Sequence, residues 1–283
     1  QGYPGAYINT SATSGLFYPR IDYNPSTRLM LTDPVGLLIE DARYNLITYS
    51  WGYNAFYYAA RASSATTTDV RAPDGSFSAI KLIEDWTFNN SHLIGNAIGG
   101  VTDYGTYCLS CYVRAGKGKR YFMLWFITSS NGTAKTNQMV IDLYTGNVTF
   151  TLATNSPVQC GVIDAGNGWW RPWILGKHET GTQINYSLAS SWNTGTTNPT
   201  YTGDASGAMY VWGLQIEKGN YPSSYIHTAG RKVLRNADHP YQIAPGSEPF
   251  NVLRKNTFSV IEEVRSEEHT SELQSLRHLV CRL

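Results

Sequence analysis

Residues Met209 to Thr228 read MYVWGLQIEKGNYPSSYIHT and carry the clearest secondary-structure signal in the 283-residue chain. The first half alternates as a β-strand does, with two sets of side chains on opposite faces: Tyr210, Trp212, Leu214 and Ile216 against Val211, Gly213, Gln215 and Glu217. Gly219 and Pro222 end the strand, because proline cannot donate to a ladder and glycine relaxes the turn. We expect this strand to close a β-sandwich against the dense apolar stretch at 36–50, GLLIEDARYNLITYS.

Both stretches resemble the ends of one known module. GLLIEDARYNLITYS is similar to the opening, and YVWGLQIEKGNYPSSYIHTAG to the closing, of a carbohydrate-binding-like β-sandwich module of phage tail and tail-fibre proteins. YCLSCYVRAG, IDLYTGNVTF and GNGWWRPW resemble its middle strands, so the likeness covers residues 16–238. The sequence departs from the module's pattern at Tyr44, His227 and Leu234. The resemblance implies an all-β, antiparallel two-sheet sandwich of jelly-roll type, acting as a glycan-binding module in a virion tail.

The composition favours the same class of partner. Charged residues make up 15% of the chain, below the usual quarter, and polarity comes from Ser, Thr, Asn and Gly together with 20 Tyr and 8 Trp. Surfaces rich in hydroxyls and aromatic rings suit sugars. A net charge of +1 without a Lys/Arg run indicates no nucleic-acid partner. Because no apolar run approaches the roughly 20 residues of a membrane span, we expect no membrane insertion.

The domain organisation is predicted from segments rich in Gly, Ser and Pro and from residues that favour turns. Residues 1–45 are an N-terminal arm or hairpin, 46–229 the sandwich, and 230–264 a linker with the start of a following domain. Residues 265–283, RSEEHTSELQSLRHLVCRL, resemble an in-frame translation of a short-read sequencing adapter, so we expect them to be non-native. Ten strands are predicted in the sandwich at the regular spacing of an all-β fold: Ala79–Glu84, His92–Ile98, Tyr104–Arg114, Tyr121–Thr128, Gln138–Asp142, Asn147–Leu152, Gln159–Ala165, Trp169–Gly176, Gln183–Leu188 and Ala208–Glu217.

Aromatic residues are the candidate ligand contacts. Alternation in the strand from Tyr107 points Ser110, Tyr112 and Arg114 outward, and Trp125 beside Tyr112 would make a platform for the CH face of a sugar ring. Three more candidates complete the set: Gln215 as a hydrogen-bonding group, Trp170 as a second surface platform, and Trp86 as a loop aromatic at the rim. The alternative for Trp125, packing beneath a loop, carries equal weight.

No pattern indicates catalysis, so we expect a protein that is not an enzyme and has no cofactor. The histidines are scattered, and the adjacent carboxylates Glu40-Asp41 and Glu84-Asp85 would point to opposite faces of a strand. Arg171 needs a carboxylate partner, Glu217 or Glu40, and the preferred interpretation is a structural ion pair. No metal site is predicted; a structural calcium would need an oxygen cluster, for which only Glu40, Asp41 and Asp204 are available.

Two hypotheses follow for the function. The first is a glycan-binding module that recognises a host cell-surface glycan; the second is an assembly module of the same virion that binds no sugar. In both, the partners include other virion tail proteins and identical copies, a trimer being expected. Outside the segment at 265–283, three of the four cysteines remain, and because they show no disulfide pattern they fit assembly in the reducing host cytoplasm.

Overall fold

The computed structural model describes residues 20–23, 34–38, 40–51, 58–60, 62–154, 159–191 and 200–237. All regular elements in this part of the chain are β-strands, in the following order: β1 (Arg20–Tyr23), β2 (Pro34–Leu38), β3 (Arg43–Asn45), β4 (Tyr58–Ala60), β5 (Ala62–Thr66), β6 (Ile80–Glu84), β7 (Leu93–Gly99), β8 (Gly105–Ala115), β9 (Tyr121–Ser130), β10 (Thr133–Asp142), β11 (Val148–Ala153), β12 (Cys160–Gly166), β13 (Trp169–His178), β14 (Gln183–Ser191), β15 (Met209–Lys218) and β16 (Val233–Arg235).

Twelve of these strands form two six-stranded antiparallel sheets packed as a sandwich. The first sheet has the order β11-β10-β9-β14-β7-β4 and the second β12-β13-β8-β15-β6-β5. The predicted fold class is therefore confirmed, and each of the ten predicted strands is present, although β10 begins at Thr133 rather than Gln138. Within the predicted N-terminal arm or hairpin at 1–45, β1 pairs antiparallel with β2. The domain boundaries stay predictions, and residues 238–283 lie outside the described part.

The main core lies between the two sheets and follows strand alternation. On β8, Tyr107, Leu109, Cys111 and Val113 point into it, which agrees with the alternation predicted for this strand. They meet Phe122, Leu124 and Phe126 of β9, as well as apolar side chains of β10, β14 and β15. Each such side chain contributes about 1.5–3 kcal/mol through burial, so this interior supplies most of the stabilisation of the fold.

A β-bulge in β15 changes which residues share a face. The register against β8 pairs Trp212 with Tyr112 and then Gln215 with Ser110, so one extra residue is accommodated between them. Gly213 sits there with a φ of 61°, a conformation that glycine adopts without strain. The predicted face is therefore wrong on one side of Gly213: Leu214 and Ile216 point into the core with Val211, whereas Tyr210 and Trp212 do not.

The 36–50 stretch lies close to β15, as predicted, but is not its neighbour within the sheet. That position is taken by β8 and β6. Instead, the Leu46 N–H donates to the Ile216 carbonyl at 2.8 Å, and the Leu214 N–H donates to the Ser50 carbonyl at 2.9 Å. The two backbone bonds attach this part of the stretch to β15.

The buried side-chain amide of Asn45 links the 36–50 stretch to β15 and to the segment that follows it. Its Nδ2 donates to the carbonyls of Leu214 at 3.1 Å and Ile226 at 2.9 Å. Its Oδ1 accepts from the N–H groups of Ile47 at 3.1 Å and Ile216 at 3.2 Å. All four bonds are made away from water, where an unmatched polar group is costly.

The chain enters and leaves the sandwich through one two-stranded ribbon, which we call the terminal ribbon. It consists of β3 paired antiparallel with β16, so that Arg43 lies opposite Arg235. The buried Arg235 guanidinium donates to the Glu40 carboxylate and to the Asp41 carbonyl. The ribbon is therefore closed by an ion pair as well as by backbone hydrogen bonds.

Candidate functional site

The predicted platform on β8 is buried. Ser110, Tyr112 and Gln215 have essentially no solvent exposure. The Tyr112 ring packs 5.3 Å from Trp212 and 6.4 Å from Tyr225, centroid to centroid. The outward face of this strand is thus covered by the segment that follows β15, and the expectation that these three residues meet a ligand is wrong. Arg114, near the end of β8, is half-buried.

Trp125 does not lie beside Tyr112, because β9 and β8 belong to different sheets. On the first sheet Trp125 is opposite Gln138 of β10 and Ser187 of β14. It is half-buried on the outer face of that sheet, in a cluster with Met123 and Val140. The indole N–H has no hydrogen-bond partner among the described residues. The shared platform is therefore wrong, and a ligand role for Trp125 alone stays a prediction.

Trp170 is not the surface platform that was predicted. Its indole N–H donates to the Leu143 carbonyl at 2.8 Å, and the ring packs against the main core. Gly146, with a φ of 75°, lies directly over that ring, so that a Cβ there would come within 2.6 Å of Trp170 Cη2. Trp170 therefore supports the turn between β10 and β11. Trp169 is buried.

Arg171 makes no ion pair with either predicted carboxylate. Its guanidinium lies 5.1 Å from the centroid of Tyr112, and Nη2 donates to Ser110 Oγ at 3.1 Å. The Glu40 carboxylate is occupied by Arg235, as described above. Arg171 thus packs on an aromatic ring and a hydroxyl, and its predicted pairing is wrong.

The buried Glu217 carboxylate accepts its hydrogen bonds from uncharged groups. Ser223 donates to it through the backbone N–H at 2.8 Å and Oγ at 2.5 Å, and Gln215 Nε2 donates at 2.7 Å. The nearest cationic atom is Arg43 Nε at 4.0 Å. Burial raises the pKa of Glu217, an effect that these hydrogen bonds and the positive charge of Arg171 partly oppose.

Trp86 is exposed, and so is a second aromatic residue in the same loop. Residues 85–92 connect β6 to β7, where Trp86 is 65% exposed and Phe88 79% exposed. Removing large apolar side chains from water is normally favourable, so two of them exposed in one loop indicate a contact surface.

The loop that carries them is braced by hydrogen bonds. The Thr87 N–H donates to Asp85 Oδ1 at 3.0 Å, and the Thr87 carbonyl accepts from the Gly203 N–H at 3.2 Å. Asn90 and Tyr201 exchange two backbone hydrogen bonds of 3.1 Å. The two aromatic side chains therefore project from a backbone whose conformation is fixed.

A buried cluster of hydrogen bonds around Glu84 supports the 85–92 loop. Lys119 Nζ donates to Glu84 Oε2 at 2.5 Å, and Tyr201 Oη donates to Oε1 at 2.5 Å. The Asp204 N–H also donates to Oε2, at 3.0 Å. Burial and the Glu84 carboxylate raise the pKa of Tyr201, so the phenol stays a donor. This cluster joins the 85–92 loop to the segments at 116–120 and 200–208.

A third exposed aromatic ring lies in the turn between β10 and β11, at the same end of the strands. Tyr144 is 64% exposed, and the Arg120 guanidinium carbon lies 5.4 Å from its centroid and 5.3 Å from that of Tyr121. Asp142 Oδ2 accepts from Arg120 Nη2 at 2.6 Å and from Nε at 3.0 Å, and this pair lowers the pKa of Asp142. The arginine is thereby held close to both rings.

We call the surface formed by Trp86, Phe88, Tyr144 and Arg120 the aromatic end of the sandwich. The loops that carry these residues lie at one end of the strands, and the Leu143 N–H links two of them by donating to the Arg120 carbonyl at 2.7 Å. The surface can offer ring faces to CH groups and a fixed guanidinium to hydroxyls. The sequence prediction included Trp86 but missed Phe88 and Tyr144, although both stand beside turn residues as Trp86 does.

Neither a metal cluster nor a membrane helix is found in the described part of the chain. Groups of three or more His, Cys, Asp or Glu side chains that could hold a metal ion do not occur among the described residues. The carboxylates suggested for calcium are separated, since Glu40 pairs with Arg235 while Asp204 lies beside Glu84. The same residues include no helix long and apolar enough to cross a bilayer.

Comparisons with known proteins find similar folds only. No protein-family model and no curated protein matches the sequence. Among solved structures, a family 61 carbohydrate-binding module in complex with β-1,4-galactotriose has 9% identity and a TM-score of 0.36, covering 62% of this chain and 99% of that one. The family 22 xylan-binding domain of Xyn10C from Paenibacillus barcinonensis has 13% identity and a TM-score of 0.35, covering 62% and 94%. A carbohydrate-binding module of lichenase 5A from Cellvibrio mixtus, in complex with cellotriose, has 11% identity and a TM-score of 0.31, covering 61% and 98%.

Proposed function

We propose that the chain is a non-catalytic glycan-binding module that holds saccharides on its aromatic end. The observation that carries the proposal is the pair of exposed rings, Trp86 and Phe88, on one braced loop. Stacking a sugar on such a ring removes apolar CH surface from water. Because the loop is already fixed by hydrogen bonds, little conformational freedom is lost on binding.

Polar groups around the rings supply selectivity in this proposal. Arg120 is 48% exposed at its side chain and keeps its position through Asp142, so its outer N–H groups face solvent in a fixed direction. Sugar hydroxyls are suitable acceptors for such donors. Of the carboxylates at this end, Asp85 lies 3.4 Å from His92, Asp142 pairs with Arg120 and Glu84 pairs with Lys119, which supports a binding role rather than acid–base catalysis.

We further propose that the module belongs to a phage tail or tail-fibre protein and recognises host surface polysaccharide. The support is the resemblance of 36–50 and 210–230 to the two ends of the tail module. In this setting the chain is located in the virion, is assembled in the host cytoplasm, and forms a trimer alongside other tail proteins.

The test is a glycan array of bacterial surface polysaccharides, followed by calorimetric titration of each hit. Trp86→Ala or Phe88→Ala should weaken binding by about 1–3 kcal/mol, which is about 5- to 150-fold. The matched control is Tyr104→Ala, which removes an aromatic ring 47% exposed at the opposite end of β8 and should leave affinity unchanged. All three variants should unfold at the wild-type denaturant concentration.

The alternative function, assembly of the virion without a sugar ligand, gives a different outcome. In that case the array shows no hit, and Trp86→Ala dissociates an oligomer that light scattering detects in the wild type. Equal loss of glycan affinity in the Tyr104 variant would also refute the assignment of the aromatic end.

A further inference from the structure

A cleft lies at the opposite end of the sandwich from the aromatic end. It has a volume of about 700 Å³ and is bounded by the terminal ribbon, the segment at 100–106 and the end of β15. Ligand pockets in proteins typically measure about 300–1,000 Å³, so the cleft has the size of a binding site. It is separate from Trp86 and Phe88, because β8 begins here and ends at the other side.

The lining of this cleft is cationic. Arg43, Lys218 and Lys232 line it, whereas Asp103 is the single carboxylate among its described lining residues. Lys218 Nζ pairs with Asp103 at 2.5 Å. Lys232 is exposed and makes no ion pair within the described part of the chain. Among the three cations, Lys232 therefore carries a positive charge that no described carboxylate pairs, whereas Lys218 and Arg43 have carboxylates within 4.0 Å.

The position of Arg43 is fixed by its neighbours. Nη2 donates to Tyr221 Oη at 3.0 Å, and the guanidinium carbon lies 5.4 Å from the centroid of that ring. Gly219 leaves the space that the guanidinium occupies, since a Cβ there would come within 3.1 Å of Nε. Its nearest carboxylates are at 3.8 Å in Asp41 and 4.0 Å in Glu217, beyond hydrogen-bonding range.

The remaining lining suits a polyhydroxylated ligand. Tyr44 presents a ring that is 53% exposed, and Thr102, Thr106 and Asn220 contribute hydroxyl and amide groups. Tyr107 holds one wall in place by donating to the Asp103 carbonyl, and burial raises its pKa to about 12. An aromatic rim, neutral hydrogen-bonding groups and excess positive charge are thus combined in one cleft.

We propose that this cleft binds an acidic saccharide, in which a sugar ring carries a carboxylate. The ring would lie against Tyr44, its hydroxyls would bond the threonines and Asn220, and its carboxylate would face Arg43 and Lys232. This site is additional to the aromatic end and does not depend on it.

The experiment titrates the full chain with oligomers of galacturonate, glucuronate and mannuronate, and with the methyl ester of each that binds. Lys232→Gln should weaken binding about threefold and Lys232→Glu about tenfold, as expected for an exposed charge facing the ligand. Raising the salt concentration from 50 to 500 mM should also weaken it. Lys117→Glu makes the same change of charge at the aromatic end and serves as the matched control.

Three results would overturn the proposal. The first is absence of binding to all three uronate oligomers by a protein whose thermal unfolding is normal. The second is equal affinity for the methyl ester, which keeps the shape but lacks the charge. The third is complete displacement of the uronate by an equal concentration of inorganic phosphate, which would indicate a general anion site. Trp86→Ala should leave uronate affinity unchanged, which separates this site from the proposed glycan surface.

Discussion

Replacing Asn45 by alanine should remove much of the stability of the sandwich. The buried amide makes four hydrogen bonds to backbone groups of two chain segments that are distant in sequence. Alanine would leave two carbonyls and two N–H groups without their partner in an interior position. At a net of about 1 kcal/mol for each bond, the expected loss is about 4 kcal/mol of the free energy of unfolding. Since the total free energy of unfolding of a domain is about 5–15 kcal/mol, this loss is a large part of it.

The assay is equilibrium unfolding in urea, followed by tryptophan fluorescence. Thr48→Ala is the matched control, because Thr48 is exposed three residues further along the same segment and should change stability by less than about 0.5 kcal/mol. A loss below about 1 kcal/mol for Asn45→Ala would show that water or a rearranged loop replaces the amide. The attachment of the 36–50 stretch to β15 would then not depend on this side chain.

Three other substitutions or deletions have definite expected outcomes. Gly146→Ala should lower the free energy of unfolding in urea by about 2–4 kcal/mol, because the new Cβ would clash with Trp170 and the residue would be strained at a positive φ. The control is Gly132→Ala, which has a φ of 72° but open space around it and should show only the cost of the strain. Glu217→Gln should remove one contribution to the pH dependence of stability: because burial raises the folded pKa of Glu217 above the ordinary 4.5, its contribution is fully present below that pH and is lost as pH rises through the folded pKa. An unchanged pH profile of the free energy of unfolding in the variant would contradict this. Deleting residues 265–283 should change the free energy of unfolding by less than about 1 kcal/mol, and a larger loss would refute the idea that this segment is non-native.

Strand periodicity was sufficient to predict the architecture, because alternation on β8 reports directly on which residues face the core. It failed at Gly213, where one extra residue in β15 reverses the faces that follow. A bulge is a property of two paired strands, and it cannot be read from one of them. The glycine was visible in the sequence, but its positive φ was not.

The candidate site was harder to predict than the fold. Alternation shows that Tyr112 points away from the core, but not that the segment after β15 covers it. Trp170 was misjudged for a similar reason, since the turn above it belongs to a different pair of strands. Trp86 was found because aromatic residues in loops have no strand face to be buried in. Applying the same reasoning to Phe88 would have completed the pair.

The terminal ribbon has a mechanical consequence. Because Arg43 and Arg235 are opposite each other, tension applied through the two ends of the chain would separate β3 from β16 one residue pair at a time, as a zipper opens. The first connections to break would be those between Arg235 and Glu40, and Asn45 would follow at the far end of the ribbon. Resistance to force would therefore depend on the rate of breaking these few contacts rather than on the large core between the sheets. Under such tension the aromatic end would point away from the direction of pulling, and the terminal ribbon would break before the sandwich.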